Sequence, residues 1–505
     1  MNSTHTPNRE YPAQPTEVSA GSTPMTQSES SGAKRVVVVG GGIAGLSAAI
    51  TLVKQGYQVD VYEKRPVLGG KWSSWQDADG DWIETGLHVF FGAYDEIFTM
   101  MRELGVYDHI LWKDHVMTYT LTKGERFEFR TRQLPSPFHL LPAAFENQFF
   151  SWREKLTLIR ALYPMLFGST AYFAAQDGKT YKQWNDMMGI DQRMFSKMFI
   201  PMTLALKFLP ADRISARIVL EVIGIFLREN NASRIGFLRG SPQQHLIGPM
   251  AEFITRHGGR IHGNAKVERI ELSADGSRVE ALHLHDAEAG SDDGALKRIT
   301  ADHFVLALPI HNLKRLIPAE IKSQPYFAGL DKLNGVPVIT AHLWTDKQVS
   351  HIDNCLFSPD GMIPVYADMA NTTPEYRDFN DAGMAQRGSR FQFVVAPADA
   401  LMNLSDDDIV AKVWANVCDV FPDASKEARI IKSTIVKVPQ SVYGPLPGLD
   451  QYRVSQASPV SNLFLAGGYT LQKFYDSMEG ACRSGNRAAK ALIARDRGLS
   501  WHPSP

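Results

Sequence analysis

The stretch Lys34-Arg-Val-Val-Val-Val-Gly-Gly-Gly-Ile-Ala-Gly45 decides the fold of this chain. Its four consecutive valines, Val36–Val39, predict a strand that is buried on both faces, as in a parallel sheet. A helical pattern then runs from Ala44 to Lys54, and a second strand pattern covers Val59–Tyr62. Strand, glycine turn, helix and strand in this order predict the first unit of an α/β dinucleotide-binding domain.

The glycines of this turn and the acid after the second strand have the spacing of a dinucleotide-binding fingerprint. Gly40 allows the tight turn, Gly42 lets the backbone approach a pyrophosphate, and Gly45 lets helix and strand pack closely. The free N–H groups at the start of the helix then face the phosphates. Glu63 stands close to the position, about 20 residues after the first glycine, at which an acid binds the ribose. The sequence therefore predicts a dinucleotide cofactor.

Two later segments bring further glycines to the predicted cofactor. In Leu68-Gly-Gly-Lys71, the glycines allow a second close approach of the backbone, and the lysine places a cation near the phosphates. In Ile83-Glu-Thr-Gly-Leu-His-Val-Phe-Phe-Gly-Ala-Tyr94, glycines within an apolar, aromatic run indicate backbone that packs against a flat group. His88 of this run is a candidate acid or base, and a packed, hydrogen-bonded histidine is the alternative.

The last glycine segment lies near the C terminus. Phe464-Leu-Ala-Gly-Gly-Tyr-Thr470 predicts a strand that ends in two glycines, and Ser477 is a good N-cap for the helix that follows. The N terminus of this helix, aimed at a flavin pyrimidine ring, would stabilise the negative charge that reduction places there. This separate C-terminal segment favours a flavin dinucleotide over a nicotinamide one.

Composition and charge limit the possible partners. At 505 residues the chain exceeds the size of a single core, so two or more domains are expected. The 53 basic and 54 acidic residues give a net charge of -1, which argues against a large basic surface and so against nucleic acid. Cys355, Cys418 and Cys482 form no paired motif, so the sequence predicts no disulfide framework and no metal site.

The sequence predicts no membrane-spanning helix, because it contains no run of about eighteen uncharged apolar residues. The nearest approach is Ala161–Ala175, which is interrupted by Pro164 and Gly168. This segment is interpreted as either a buried helix pair or a patch that faces a membrane. Residues 1–33 are rich in Ser, Thr and Pro and lack an apolar core, so they predict a disordered tail and no secretory signal.

The chain divides where glycine-bearing α/β segments alternate with aromatic-rich helical stretches. Trp152–Phe167 and Ala216–Arg228 are helical patterns of this second kind, and residues 287–297 predict a surface loop. The predicted division is: residues 1–33, N-terminal tail; 34–105, first part of the dinucleotide-binding domain; 106–238, first part of a second domain; 239–319, second part of the dinucleotide-binding domain; 320–455, second part of the second domain; 456–496, third part of the dinucleotide-binding domain; 497–505, C-terminal tail. The resemblance described next implies that the first of these domains binds FAD and that the second binds the substrate and associates with a membrane.

From about residue 34 to 493, the chain resembles the carotene desaturase family of plants and cyanobacteria. Some segments resemble its phytoene desaturases and others its ζ-carotene desaturases. Those that resemble phytoene desaturases are DGDWIETGLHVFFGAY at 79–94, AAQDG at 174–178 and VYADM at 365–369. Those closer to ζ-carotene desaturases are GSP at 240–242 with LIGP at 246–249, VPQS at 438–441 and DSMEG at 476–480.

The resemblance implies the fold class: an α/β, Rossmann-type FAD-binding domain of the flavin amine oxidase and carotene desaturase kind, with an interleaved α+β substrate domain. It also implies a cytoplasmic protein attached peripherally to a membrane surface, a polyene or other isoprenoid hydrocarbon as substrate, and a quinone as electron acceptor. By position, the implied FAD contacts are Gly40, Gly42, Ala44, Gly45, Glu63, Lys64, Gly69, Gly70, Lys71, Gly86, Leu87, Val267, Gly467, Gly468 and Met478.

Two positions depart from the family pattern. Gly468 stands where many relatives have Asp, and the missing hydrogen bond is expected to weaken FAD binding by about 1–3 kcal/mol. His245 stands where phytoene desaturases tend to carry Arg, beside the cavity for substrate and quinone. No catalytic residue is assigned, because the chemistry is centred on the flavin; the candidates for lining the cavity are His88, His245 and Tyr469.

The function predicted from these observations is FAD-dependent desaturation of a carotenoid precursor, with 15-cis-phytoene to ζ-carotene favoured. Hydride passes to flavin N5 and electrons pass on to a quinone. The allylic cation left behind is acidic, so no strong protein base is needed, in keeping with the lack of a Ser-His-Asp or paired-carboxylate pattern. The alternatives are a ζ-carotene desaturase, an FAD-dependent oxidoreductase of another isoprenoid such as hydroxysqualene, a flavin amine oxidase with Tyr469 in an aromatic cage, and a non-enzymatic prenyl-binding module.

Overall fold

The computed structural model describes residues 32–132, 134–136, 138–286, 296–376 and 388–501. The predicted tail at residues 1–33 lies almost wholly outside this part of the chain. So does most of the surface loop predicted for residues 287–297, and the C-terminal tail is described only as far as Trp501. The interpretations of these segments stay predictions.

The strands of the described chain carry the labels used below. In chain order they are β1 Arg35–Val39, β2 Gln58–Tyr62, β3 Ser74–Gln76, β4 Trp82–Glu84, β5 Phe90–Phe91, β6 Ile110–Trp112, β7 Val116–Thr120, β8 Arg126–Arg130, β9 Ile235–Leu238, β10 Arg260–His262, β11 Ala265–Leu272, β12 Val279–Asp286, β13 Lys297–Ile299, β14 His303–Leu306, β15 Gly335–Thr345, β16 Leu356–Phe357, β17 Val365–Asp368, β18 Arg390–Val395, β19 Ile430–Tyr443 and β20 Leu463–Leu465.

The helices are numbered in the same way, and two of the intervening turns have π-helical hydrogen bonding, at Phe195–Phe199 and Gln243–Ile247. In chain order the helices are α1 Ile43–Val53, α2 Glu96–Glu103, α3 Leu141–Glu146, α4 Trp152–Thr157, α5 Ile159–Phe167, α6 Thr170–Ala174, α7 Tyr181–Met188, α8 Gln192–Met194, α9 Ile200–Lys207, α10 Ala216–Arg228, α11 Gly248–Arg256, α12 Ile310–Leu316, α13 Ala319–Lys322, α14 Pro325–Ala328, α15 Met369–Thr372, α16 Asp406–Val420, α17 Pro422–Glu427 and α18 Met478–Asp496.

The first sheet is parallel and has the order β10-β2-β1-β14-β20. Its strands come from three separate stretches of the chain, which parallel strands permit because their connections cross the sheet faces. Val36 and Val38 belong to a core with α1, α11 and α18, whereas Val37 and Val39 belong to a core on the opposite face with α12 and the sheet β11-β12-β13. Burial on both faces explains the unbroken valine run.

A second sheet has the order β19-β15-β18-β17-β16-β7-β8 and separates two further apolar cores. One core lies between this sheet and helices α5 to α10, and the other lies under α16. Alternate residues of β17 face opposite cores: Val365 and Ala367 belong to the first, and Tyr366 to the second. The two sheets therefore form two layered units whose chain segments are interleaved, while the predicted domain boundaries stay a prediction.

Most of the predicted elements occur within one or two residues of their predicted ends. Helix α1 spans Ile43–Val53, and α10 spans Ala216–Arg228 as predicted. The helix predicted over Trp152–Phe167 is instead two helices, α4 and α5, joined at Leu158. None of the helices in the described chain is long and apolar enough to cross a bilayer.

Candidate active site

The turn after β1 is tight for reasons internal to the protein. Gly40 has φ +109°, and a Cβ there would come within 2.4 Å of the Ala307 carbonyl oxygen. A Cβ on Gly45 would come within 1.9 Å of the Gly40 carbonyl oxygen, so α1 and β1 can pack this closely only over glycine. Helices α1 and α18 also pack closely over a glycine, because a Cβ on Gly485 of α18 would come within 2.1 Å of the Ala44 carbonyl oxygen.

No neighbouring protein atom requires a glycine at position 42. A Cβ at this position would find its nearest neighbour, Gly70 Cα, at 3.5 Å, which is ordinary van der Waals contact. Gly42 is also the N-cap of α1, and no side chain caps the free N–H groups of the first turn. Uncapped N–H groups and the positive end of the helix dipole favour an anion. The space over Gly42 therefore fits a phosphate-bearing ligand.

Glu63 is held beside this glycine turn. Its Oε2 accepts a hydrogen bond from Gly41 N at 2.8 Å, and its Oε1 accepts one from Arg65 N at 3.1 Å. The backbone carbonyl of Glu63 accepts from Ala265 N at 2.9 Å, which brings the start of β11, the strand that carries Val267, to the same edge. Lys64 is exposed.

The second glycine turn packs directly on the first. Gly69 and Gly70 have φ of +102° and +62°, and Gly69 N donates to the Gly41 carbonyl at 2.8 Å. A Cβ on Gly70 would come within 2.9 Å of Gly42 Cα. Lys71 donates to Asp476 Oδ2 at 2.8 Å. The predicted phosphate-side lysine is thus paired with a carboxylate from the loop before α18.

The segment with Gly86 and Leu87 joins the two sheets. Thr340 of β15 donates to the Thr85 carbonyl at 3.0 Å, and His342 of the same strand donates to the Glu84 carbonyl at 2.9 Å. Leu87 packs against the apolar core between the second sheet and its helices. A flat cofactor ring beside Gly86 would therefore lie next to the apolar interior of the second layered unit.

His88 is a packed, hydrogen-bonded histidine. Its Nδ1 donates to the Gly86 carbonyl at 2.6 Å, and its ring stacks on Trp72 with 5.2 Å between centroids. Loss of hydration lowers the pKa of His88 to about 4, although the hydrogen bond to the Gly86 carbonyl opposes the shift. The side chain is therefore neutral at physiological pH.

Sequence reasoning missed a buried acid next to His88. Glu84 Oε2 accepts from Trp72 Nε1 at 3.4 Å, and Oε1 accepts from the Tyr376 hydroxyl at 2.9 Å. Burial raises the pKa of Glu84 to about 7, although these hydrogen bonds and the nearby Arg390 oppose the shift. The only local signal is an acid inside the apolar run at 83–94, and its partner Tyr376 is 292 positions away.

His245 belongs to the same neighbourhood. It lies in the π-helical turn Gln243–Ile247, and such turns are frequent at functional sites. His245 Nε2 lies 2.7 Å from Glu375 Oε2, and Arg239 Nε lies 3.4 Å from Oε1 of the same carboxylate. Because Glu375 precedes Tyr376, His245 and Glu84 are linked through two consecutive residues.

The remaining predicted residues lie at the end of β20 and the start of α18. Gly467 has φ +140° and donates its N–H to Ser484 Oγ at 2.9 Å. Ser477 caps α18, as predicted, by accepting from Gly480 N at 3.0 Å, and Met478 is the first residue of the helix. Tyr469, in contrast, is 2% exposed and packs in the core with α12. Its ring lies against the Gly467 backbone, where a Cβ would come within 2.8 Å of Tyr469 Cε1.

These segments meet at one edge of the first sheet. The carboxyl ends of β1, β2, β14 and β20 share that edge because the strands are parallel, and α1 and α18 begin there. Two glycine turns, a buried acid and two helix N termini fit a cofactor that has a pyrophosphate, hydroxyl groups and a flat ring. FAD has all of these parts.

Comparison with known proteins agrees with this arrangement. The profile of the family described as flavin containing amine oxidoreductase matches residues 43–493. Putrescine oxidase with bound putrescine has the same fold, with a TM-score of 0.66 and 18% identity over 91% of this chain and 99% of that one. Cyclohexylamine oxidase from Brevibacterium oxydans gives a TM-score of 0.65 at 16% identity over 92% of this chain and 100% of that one.

Relatives of higher identity lie elsewhere in the family. The 15-cis-phytoene desaturase of Synechococcus elongatus is 40% identical over 93% of this chain and 98% of its own length. The chloroplastic 15-cis-phytoene desaturase of Capsicum annuum is 38% identical over 91% of this chain and 77% of its own. A probable zeta-carotene desaturase of Synechococcus elongatus is 35% identical over 91% of this chain and 98% of its own.

The fold and site therefore define an FAD-dependent oxidoreductase, and the predicted fold class and cofactor are confirmed. Within that class, the chain belongs to the carotene desaturase group of the flavin-containing amine oxidoreductase family.

Proposed function

We propose that this chain desaturates 15-cis-phytoene to ζ-carotene at a membrane surface and passes the electrons to a quinone. The observation that carries the proposal is the 40% identity to a 15-cis-phytoene desaturase over 93% of the chain, against 35% to a probable zeta-carotene desaturase. The longest of the segments that resemble phytoene desaturase, residues 79–94, includes Glu84, Gly86 and His88 of the site.

The surroundings of Gly86 suit a hydrocarbon. Leu87, Val89 and Phe91 follow this glycine and are partly buried against the core of the second unit, and Phe208 and Val442 pack against the same core. A polyene loses no hydrogen bonds when it enters such surroundings. Each CH₂ group that it buries contributes about 0.8 kcal/mol to the free energy of binding. An amine substrate would instead need polar or aromatic partners there, and Tyr469 is buried in another core.

The chemistry asks little of protein acids and bases. When bound, FAD accepts a hydride from a carbon beside the conjugated system of the substrate. The chain's own residues hold the hydrocarbon in place and keep water away. The neutral ring of His88 places no charge beside the reacting chain at neutral pH, and Glu84, whose pKa is raised to about 7, is only partly ionised there. Loss of a hydride turns the substrate into an allylic cation. This cation is acidic, so a weak acceptor suffices for the proton that it then loses.

The attachment to a membrane is supported by exposed apolar side chains along residues 134–167, most of them on the short helices that cover the second unit, and these side chains are termed the apolar band. They are 39–70% exposed: Leu134, Phe138, Leu141, Phe145, Trp152, Leu156, Ile159, Tyr163 and Phe167. Arg153 and Arg160 are exposed between them and would face lipid headgroups. Large exposed apolar surfaces mark sites of interaction with partners or membranes, and a phytoene molecule is itself dissolved in lipid.

A ζ-carotene desaturase is the second candidate, because the segments at 240–249 and 476–480 resemble that sister enzyme. The experiment is anaerobic incubation of the FAD-loaded protein in liposomes that contain a quinone and either phytoene or ζ-carotene, with products separated by chromatography. We expect phytoene to be converted to ζ-carotene. Conversion of ζ-carotene alone would establish the sister activity, and conversion of neither would point to another isoprenoid. A His245→Arg variant assayed in parallel tests whether that position contributes to the choice.

A further inference from the structure

The space beside Gly468 is filled by a carboxylate from another part of the chain. A Cβ built on Gly468 would come within 2.1 Å of Asp476 Oδ1 and 2.3 Å of Asp476 Cγ. The side chain of Asp476 therefore lies where a side chain at position 468 would lie. The two residues come from opposite ends of the loop between β20 and α18.

Asp476 is held in this position by several contacts. Lys71 and the Tyr443 backbone N–H both donate to its Oδ2. Lys207, which is buried, donates to the backbone carbonyls of Tyr475 and Asp476 and so fixes the loop. Asp476 has φ +30°, an unfavourable conformation for a residue with a Cβ, which the surrounding contacts maintain.

The carboxyl group is ionised in spite of its burial. Loss of hydration would raise the pKa of Asp476, but the ammonium groups of Lys71 and Lys207 and the Tyr443 N–H together outweigh it and hold the pKa below the ordinary value. With Oδ2 occupied by two donors, Oδ1 is the oxygen that faces Gly468.

The place of this carboxylate is the edge that binds the cofactor. Gly467 and Gly468 follow β20, and Lys71 follows the glycine turn that packs on Gly42. Ser477, the next residue after Asp476, caps α18. Three of the segments that converge on the FAD site therefore meet at Asp476.

We propose that Asp476 is a cofactor-binding residue that supplies, from the loop before α18, the carboxylate missing at position 468. A carboxylate accepts hydrogen bonds from hydroxyl groups and repels phosphate. The part of FAD that matches Asp476 is thus the hydroxyl-bearing chain between the pyrophosphate and the ring, while Lys71 balances the charge. This offsets the weakening of FAD binding expected from Gly468. The inference rests on FAD as the cofactor and not on the identity of the hydrocarbon.

The proposal makes positions 468 and 476 alternative sources of one carboxylate, so the test is a swap. The dissociation constant of FAD is measured by titrating it into apoprotein, and the thermal midpoint of each apoprotein is recorded. We expect Asp476→Ala to weaken FAD binding about tenfold or more, the loss of a hydrogen bond to a charged group. Gly468→Asp alone should also weaken binding, because two carboxylates then compete for one space. The double variant Gly468→Asp/Asp476→Ala should bind FAD more tightly than either single variant.

The control is Asp496→Ala, at the other end of α18. Asp496 pairs with Lys34 and His303 at the amino ends of the strands, away from the cofactor edge. It should lower the thermal midpoint of the apoprotein without changing the dissociation constant. Unchanged FAD binding in Asp476→Ala, or a double variant no better than the worse single one, would overturn the proposal. If Asp476→Ala does not fold, Asp476→Asn replaces it in both the single and the double variant, and we expect the same changes in FAD binding. Failure of the unaltered protein to bind FAD would instead contradict the cofactor assignment.

Discussion

At the scale of single residues, substitution of Gly42 tests cofactor binding separately from folding. A Cβ at Gly42 meets no protein atom closer than 3.5 Å, so Gly42→Val should leave the apoprotein folded. The branched side chain would occupy the space expected for pyrophosphate, and flavin absorbance per polypeptide should fall by about tenfold or more. Gly178→Val is the matched control, because a Cβ there meets nothing within 4 Å and the position is far from the glycine turns in sequence. Full flavin occupancy in Gly42→Val would refute the pyrophosphate assignment.

Glu84 provides a residue-scale prediction about pH. Its pKa is raised from 4.5 to about 7, so between these values the folded protein holds a proton that the unfolded chain releases. The contribution of Glu84 to the free energy of unfolding is therefore greatest below pH 4.5, falls as the pH rises, and levels off above about 7. The full change is about 3 kcal/mol.

The matched variant is Glu84→Gln, which keeps an acceptor for Tyr376 and does not titrate. Denaturant unfolding of both proteins at several pH values measures the difference, from which titrations shared by both proteins cancel. We expect the free energy of unfolding of the unaltered protein to fall relative to that of Glu84→Gln between pH 4.5 and 7. Parallel profiles would show that Glu84 keeps an ordinary pKa.

The sequence anticipated residues whose roles are local and missed those whose partners are distant. The turn geometry at Gly40 and Gly45 follows from spacing within one strand–turn–helix unit, and the N-cap at Ser477 from its position before the helix. The pairing of Glu84 with Tyr376 spans 292 positions, and that of Lys71 with Asp476 spans 405. No local pattern specifies such contacts, because they depend on how the two sheets pack.

At the scale of elements, the N terminus of α18 should matter for both stability and FAD binding. Ser477→Ala removes the acceptor for Gly480 N and should cost about 1 kcal/mol of stability. Ser405→Ala is the matched control, because Ser405 caps α16, under the second sheet, by accepting from Asp408 N at 3.1 Å. Denaturant unfolding should show similar losses in both variants, but FAD titration should show weaker binding only in Ser477→Ala. Equal FAD affinities in the two variants would mean that α18 does not face the cofactor.

Helix α5 carries the most exposed part of the apolar band. Ile159, Tyr163 and Phe167 are four residues apart, so they form one row on the helix surface. Each large apolar side chain contributes about 1.5–3 kcal/mol when buried, so replacing all three by Ser should lower binding to liposomes by at least about tenfold. The control replaces Met187, Ile431 and Leu499, which are also exposed, by 45–61%, but lie elsewhere in the chain.

Flotation of liposomes measures the bound fraction. Because the net charge is -1, about 1 M salt should leave the unaltered protein bound. Release by salt, or equal flotation of the two triple variants, would contradict a hydrophobic attachment through α5.

The element boundaries show what periodicity can and cannot predict. The segment Ala161–Ala175 left two interpretations open, and the structure shows a buried helix pair with one exposed side: α5 and α6 bury Ala161, Met165 and Phe173 but expose Tyr163 and Phe167. Contact of that exposed side with a membrane stays a prediction. The turn Gln243–Ile247, which carries His245, has π-helical hydrogen bonding, and its extra residue per turn is not part of any helix periodicity that a sequence pattern can show.

At the scale of the whole molecule, the first sheet could be predicted in part, because its first and last chain segments each carry a strand, glycines and a helix in that order. The second unit could not be predicted in detail, since its strands β7 and β16 pair across more than two hundred residues. Thr340 and His342 of β15 donate to the backbone carbonyls of residues 84–85, which ties the segment between the second glycine turn and Gly86 to the second sheet. We propose that this contact between the units joins the flavin site to the site of the hydrocarbon.

The central claim is that phytoene reduces the FAD held at this junction. The direct test is to mix the FAD-loaded protein with phytoene-containing liposomes under anaerobic conditions, without a quinone, and to follow the yellow flavin absorbance. The account predicts that phytoene bleaches the flavin and that added quinone restores the colour, whereas a simple amine such as putrescine leaves the absorbance unchanged. A folded, FAD-loaded protein whose flavin stays oxidised with phytoene, or is bleached by the amine instead, would contradict it.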